Sequence, residues 1–123
     1  MDQVIKQKSK EFAVKVVNLQ KQLAARKKES VMTGELLRCG AGVGAALVKA
    51  ECALNKNEQI TRVHTALQDC AEAKYWLELL HETDCLTEFE FNDTLKTCDE
   101  MRRLVIAQIK ALKNGAQPTT SGA

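Results

Sequence analysis

Arg38-Cys39-Gly40-Ala41-Gly42-Val43-Gly44-Ala45-Ala46 is a run of small residues set inside a long segment of helical apolar periodicity. A glycine in a helix interior costs about 0.5–1 kcal/mol relative to alanine. Three of them in five residues need a compensating contact. Gly40 and Gly44 stand four apart and share one helix face, where missing side chains let a second helix come close. The same run echoes a phosphate-cradling Gly-x-Gly-x-Gly loop, but such loops follow a strand and open a helix. Thr33 to Leu37 is not a β-branched run, and no Lys and hydroxyl follow at the required spacing. Tight helix packing is the reading.

Periodicity on either side of this run predicts four helices. The first spans about Gln3 to Lys28, with Ile5, Phe12, Val16, Leu19 and Leu23 on one stripe. The second starts at Ser30 or Thr33, capped by Thr33, and runs to Leu54 through Leu36, Gly40, Val43, Leu47 and Ala50. The third covers about Asn57 to Glu82, its stripe read as Ile60, Val63, Leu67, Cys70, Ala71 or Lys74, Leu77 and Leu80. The fourth covers about Thr87 to Lys113, with Phe91, Leu95, Cys98, Met101, Val105, Ile109 and Leu112 inward. Helices of about 25 residues are roughly 38 Å long. Short loops return them antiparallel, as an all-α, up-down-up-down four-helix bundle. Residues 1–115 are read as the bundle and 116–123 as a disordered tail.

Composition excludes several classes. With 123 residues and 45% hydrophobic content, the chain can bury one genuine core. No stretch approaches 18 uninterrupted apolar residues, and the N-terminus lacks a signal-like apolar segment, so no membrane partner is expected. Five cysteines, an odd number without a Cys-x-x-Cys pair, read as free thiols of a reducing cytoplasm, most of them buried. The net charge of +2 is small, but residues 1–30 carry a local +5 against −3 for the remainder.

Little catalytic chemistry can be assembled. His64 and His81 share no helical turn and have no cysteine at ligand spacing. Asp69/Glu72 and Glu78/Glu82 are carboxylate pairs without the Glu-x-x-His partner of a di-iron bundle. No catalytic residue, metal or cofactor is assigned. Tyr75 and Trp76 lie about 100° apart around their helix, so one suits the core and the other an edge or interface. Lys8, Lys15, Lys21, Arg26, Lys27 and Lys28 of the first helix form either a solvated face or a site for nucleic acid or an acidic protein. No aromatics interleave with them to stack bases.

Two stretches carry a family resemblance. Leu36 to Ala46, followed by Glu51, is similar to an Arg-Ser-Gly-x-Ser-Ile-Gly-Ala-Asn pattern, and Ala71-Glu72-Ala73-Lys74-Tyr75-Trp76-Leu77 to a Glu-Thr-x-Tyr-Trp-Leu pattern. Together they resemble the bacterial four-helix-bundle proteins named after ribosomal-RNA intervening sequences. The resemblance implies a left-handed antiparallel bundle assembling into homopentamers. It also implies kinship with the accessory variability determinant of diversity-generating retroelements, a basic pentamer that binds a reverse transcriptase and nucleic acid. This chain departs from the pattern at Cys39, Gly42, Ala46 and Lys49. The expectation is a non-enzymatic, cytoplasmic, oligomeric scaffold or adaptor; the alternative is a nucleic-acid-associated accessory protein acting through its basic first helix.

Overall fold

The computed structural model describes residues 1–28 and 30–115, so the expected tail at 116–123 lies outside the described residues. Four helices follow one another: α1 (Gln3–Ala25), α2 (Val31–Glu51), α3 (Lys56–Glu82) and α4 (Glu88–Lys113). Each packs on its chain neighbours and α4 closes onto α1, while the backbones of the diagonal pairs α1–α3 and α2–α4 stay further apart. This is the square arrangement of an antiparallel four-helix bundle.

Local chemistry sets the helix ends. The Asp2 side chain accepts from the Val4 N–H at 2.8 Å and caps α1. Asn55 caps α3 by accepting from the Glu58 N–H, and Glu58 accepts from the Leu54 N–H in return. Thr87 and Glu90 form a reciprocal capping box at the start of α4. Thr33 does not cap α2: the helix begins at Val31, and the Thr33 hydroxyl donates to the Ser30 carbonyl from a buried position. Lys27 (φ 55°) and Asp84 (φ 61°) take the left-handed conformation just beyond α1 and α3. There Lys28 N–H bonds Leu23 O and Cys85 N–H bonds Leu80 O, the Schellman closure that usually employs glycine.

The core is built from Phe12, Val16, Leu19 and Leu23 of α1, Leu36, Val43 and Leu47 of α2, Leu77 and Leu80 of α3, and Met101 and Val105 of α4. Cys39, Cys70 and Cys98 join it. On α3 the buried stripe is Val63, Ala66, Cys70, Ala73, Leu77 and Leu80. The expected Leu67 and Lys74 are only half-buried, and Ala71 is exposed. The inward positions alternate three and four apart, a coiled-coil register that places the smaller alanines inside and the bulkier Leu67 at the margin. Leu54, expected at the end of the α2 stripe, is 93% exposed because α2 stops at Glu51.

The three glycines of the small-residue run divide between two neighbours. A Cβ on Gly40 would lie 2.9 Å from Val16 Cγ2 of α1, and one on Gly44 would lie 3.4 Å from Ser9 Oγ, also on α1. Gly42 instead faces α3, where a Cβ would meet Asp69 Oδ2 at 2.9 Å. The run thus lets α2 approach helices on both sides.

Candidate functional site

The two resemblance-bearing stretches meet at the α2–α3 seam. Arg38 of α2 pairs with Glu35 at 3.3 Å and with Glu72 of α3. Glu72 also accepts from Trp76 Nε1–H at 2.9 Å, so one carboxylate joins an arginine from the first stretch to the tryptophan of the second. Trp76 packs against the core, whereas Tyr75 is 56% exposed with its ring edge-on to Trp76 at 5.0 Å. Of this aromatic pair, therefore, Tyr75 is the residue left available to a partner. Asp69, beside Arg38 and Gly42, has its carboxyl pushed above the usual value by burial, against the pull of Arg38.

Ion pairing separates the basic residues of α1. Lys8 pairs with Glu11 at 3.4 Å, and Lys15 with Asp93 of α4 at 3.2 Å. Arg26 grips Glu90 through both guanidinium nitrogens, at 2.8 and 3.0 Å. That fork raises the Arg26 pKa and holds the Glu90 carboxyl below its usual range. Lys21, Lys27 and Lys28 form no ion pair with another described residue. Much of the local +5 is thus matched by Glu51 of α2 and by Asp93 and Glu90 of α4, and Arg26 serves to tie the end of α1 to the cap of α4.

A broad groove lies over α1, with a volume of about 1430 Å³. Its floor includes Val14 and Val17 of α1, Ala41, Ala45 and Val48 of α2, and Phe89 at the start of α4. Val14 is 53%, Val48 62% and Phe89 77% exposed, a concentration of large apolar side chains on one side of the bundle. The adjacent valines of α1 therefore face two ways: Val16 fills the core, while Val14 and Val17 line the groove. By length and composition α2 is the one described helix able to cross a membrane; it packs between α1 and α3, and 39% of its most apolar 18-residue window is buried.

Several other thiol and polar groups make contacts within the bundle. Burial pushes the Cys39, Cys70 and Cys98 thiols up to about 12, which keeps them un-ionised and unreactive. Cys98 Sγ–H donates to the Cys70 carbonyl at 3.4 Å. Cys52 is exposed and Cys85 half-buried, so burial holds for three of the five thiols. His81 stacks on Phe91 at 4.0 Å and pairs with Glu88 at 2.5 Å, fastening the α3–α4 turn. Among the described residues no group of three His, Cys, Asp or Glu side chains is placed to hold a metal ion.

Fold and surface together define an all-α four-helix bundle with an apolar groove over α1. The chain belongs to the family of 23S rRNA-intervening sequence proteins, whose pattern matches residues 1–107. It is similar in structure to a protein of unknown function from the S23 ribosomal protein family of Bacteroides thetaiotaomicron VPI-5482, with a TM-score of 0.83 and 39% identity. That similarity covers 86% of this chain and 98% of the other. No curated protein matches the chain.

Proposed function

We propose that this chain is a non-enzymatic, self-assembling scaffold or adaptor of the cytoplasm, working as a homo-oligomer. The observation that carries the reading is the groove over α1, where Val14, Val48 and Phe89 stand exposed beside the small residues Ala41 and Ala45. Burying such side chains against a second copy is favourable by about 25 cal/mol per Å² of apolar surface. The small residues let helices of two copies approach closely. Five protomers are the proposed assembly, the number implied by the resemblance to the intervening-sequence bundles. A surface shared among copies leaves other faces free to hold a partner, which is what an adaptor requires. Free thiols without disulfide pairing fit a reducing compartment.

Crosslinking tests the reading in the oligomer. Cysteine introduced at Val48 should yield copy-to-copy crosslinks at micromolar protein, and cysteine at Lys110, which is exposed on α4 and does not line the groove, should yield none. Equal crosslinking at both positions would point to random collision and count against an interface at the groove.

A further inference from the structure

Exposed positive charge stands on α4 as well as on and just beyond α1, where Lys10, Lys21, Lys27 and Lys28 form no ion pair with another described residue. Lys96, Arg102, Arg103, Lys110 and Lys113 are all exposed on α4, and none forms an ion pair with another described residue. Lys96, Arg103 and Lys110 recur every seven residues, about 10.5 Å apart, drifting only about 20° per repeat around the helix. Arg102 and Lys113 flank that line on one side. Two carboxylates stand nearby: Asp99 faces Lys74 of α3 at 3.9 Å, and Glu100 lies half-buried beside the line. From Met101 to residue 123 the sequence holds no Asp or Glu. Lys110 and Lys113 sit in the last helical turn, where the helix dipole favours cations. The dipole gives no reason for Lys96, Arg102 or Arg103, which stand two turns or more from that end.

We propose that this outward face of α4 binds the phosphate backbone of a nucleic-acid duplex. The choice of partner rests on what the face lacks. Protein interfaces centre on exposed aromatic and aliphatic anchors. Among the described residues the large exposed apolar side chains are Val4, Val14, Val31, Val48, Leu54, Tyr75 and Phe89, and none lies on α4 beyond its first turn. Single strands are gripped by stacking on aromatics, which are likewise missing here. The face holds the half-buried Ile106 rather than an exposed apolar anchor, and its guanidinium and ammonium groups are equipment for phosphate contacts, with the adjacent Arg102 and Arg103 able to fork phosphate oxygens. None of these five cations lines the groove, whose α4 residues run from Phe89 to Thr94. In an assembly built through the groove, every copy adds another such face and strengthens the common field.

Fluorescence anisotropy with labelled duplex RNA and duplex DNA across a salt series tests the proposal on the full chain. The unmodified protein should bind with an affinity that falls steeply with salt. Arg102→Gln/Arg103→Gln/Lys110→Gln should flatten the log–log slope by about 2–3 on duplex DNA, at about 0.9 per contact. A second variant, Lys96→Gln/Lys110→Gln, should flatten it by about 2 and leaves the arginines in place. Lys8→Gln/Lys21→Gln/Lys28→Gln on α1 should change the slope by less than one contact. Preference between the RNA and DNA arms then identifies the duplex. The proposal is overturned by absence of salt-dependent binding at low ionic strength, or by an equal loss in the α1 variant. Displacement of the duplex by polyglutamate at equal charge concentration would overturn it in favour of an acidic protein. Light scattering of the same samples reads the assembly separately, so failure here is distinguishable from failure of the scaffold.

Discussion

At Gly40 an absent methyl group decides how closely α1 and α2 pack. The atom that an added Cβ would strike is Val16 Cγ2, part of a β-branched side chain with little rotamer freedom inside the core. Gly40→Ala should therefore destabilise the fold by about 1–3 kcal/mol through overpacking, despite the better helix propensity of alanine. Gly34 lies in the same helix with nothing within 4 Å of the corresponding point. Gly34→Ala should stabilise by about 0.5–1 kcal/mol, and opposite shifts of the two thermal midpoints are the check. Asp69 provides a second test at this scale. Burial raises its folded pKa above 3.8, so its stabilising contribution is full below that value and lost as pH rises through the folded pKa. Asp69→Asn should accordingly melt higher than the parent at neutral pH, with the difference closing as pH falls toward the ordinary carboxylate range. A parent that gains on the variant as pH rises would contradict the assignment.

Among the elements, the joint between α1 and α4 carries the most specific polar contact. Glu90 both completes the capping box with Thr87 and receives the Arg26 fork, with its side chain only 12% exposed. Arg26→Gln should cost about 0.5–1 kcal/mol at neutral pH, a figure kept low because the Arg26 side chain is 39% exposed. The Glu90 pKa is depressed below 4.5, so the contribution is present above that value and disappears as pH falls through the folded pKa. Denaturant titrations of parent and variant should converge as pH falls through the depressed folded pKa of Glu90, and a difference independent of pH would contradict the assignment. The sequence could not disclose this joint. Arg26 and Glu90 are 64 residues apart, and periodicity reports which face a residue occupies, not which distant carboxylate it meets. The helices themselves were legible within a few residues at each end, because a 3.6-residue apolar repeat of more than 20 residues has no competing reading. Misreading occurred where bulk and register disagree. On α3, Ala66 and Ala73 are buried while Leu67 is only half-buried, since the seven-residue register outweighs side-chain size.

Seen as a whole, the molecule carries an apolar groove on α1, α2 and the start of α4, and five exposed cations further along α4. The charge tally of +5 for residues 1–30 and −3 for the rest pointed to α1 as the basic element. Folding brings Asp93 and Glu90 of α4 against Lys15 and Arg26, while the cations of the second half of α4 form no ion pair with another described residue. Averaging over residues 31–123 had concealed that second half, because the acidic residues of α3 and of the start of α4 outweigh it. The groove was legible in part. Val14, Val16 and Val17 signalled an apolar stripe wider than one seam, but Ala41, Ala45, Val48 and Phe89 join it only when three helices are assembled. Light scattering at micromolar concentration, on the parent and on Val14→Glu/Val48→Glu, tests self-assembly through this surface most directly. The account predicts a parent mass near five times 13.6 kDa, and a folded variant of 13.6 kDa with unchanged helical content by circular dichroism. A parent that runs as a stable 13.6 kDa species, or a variant that assembles as the parent does, would contradict it.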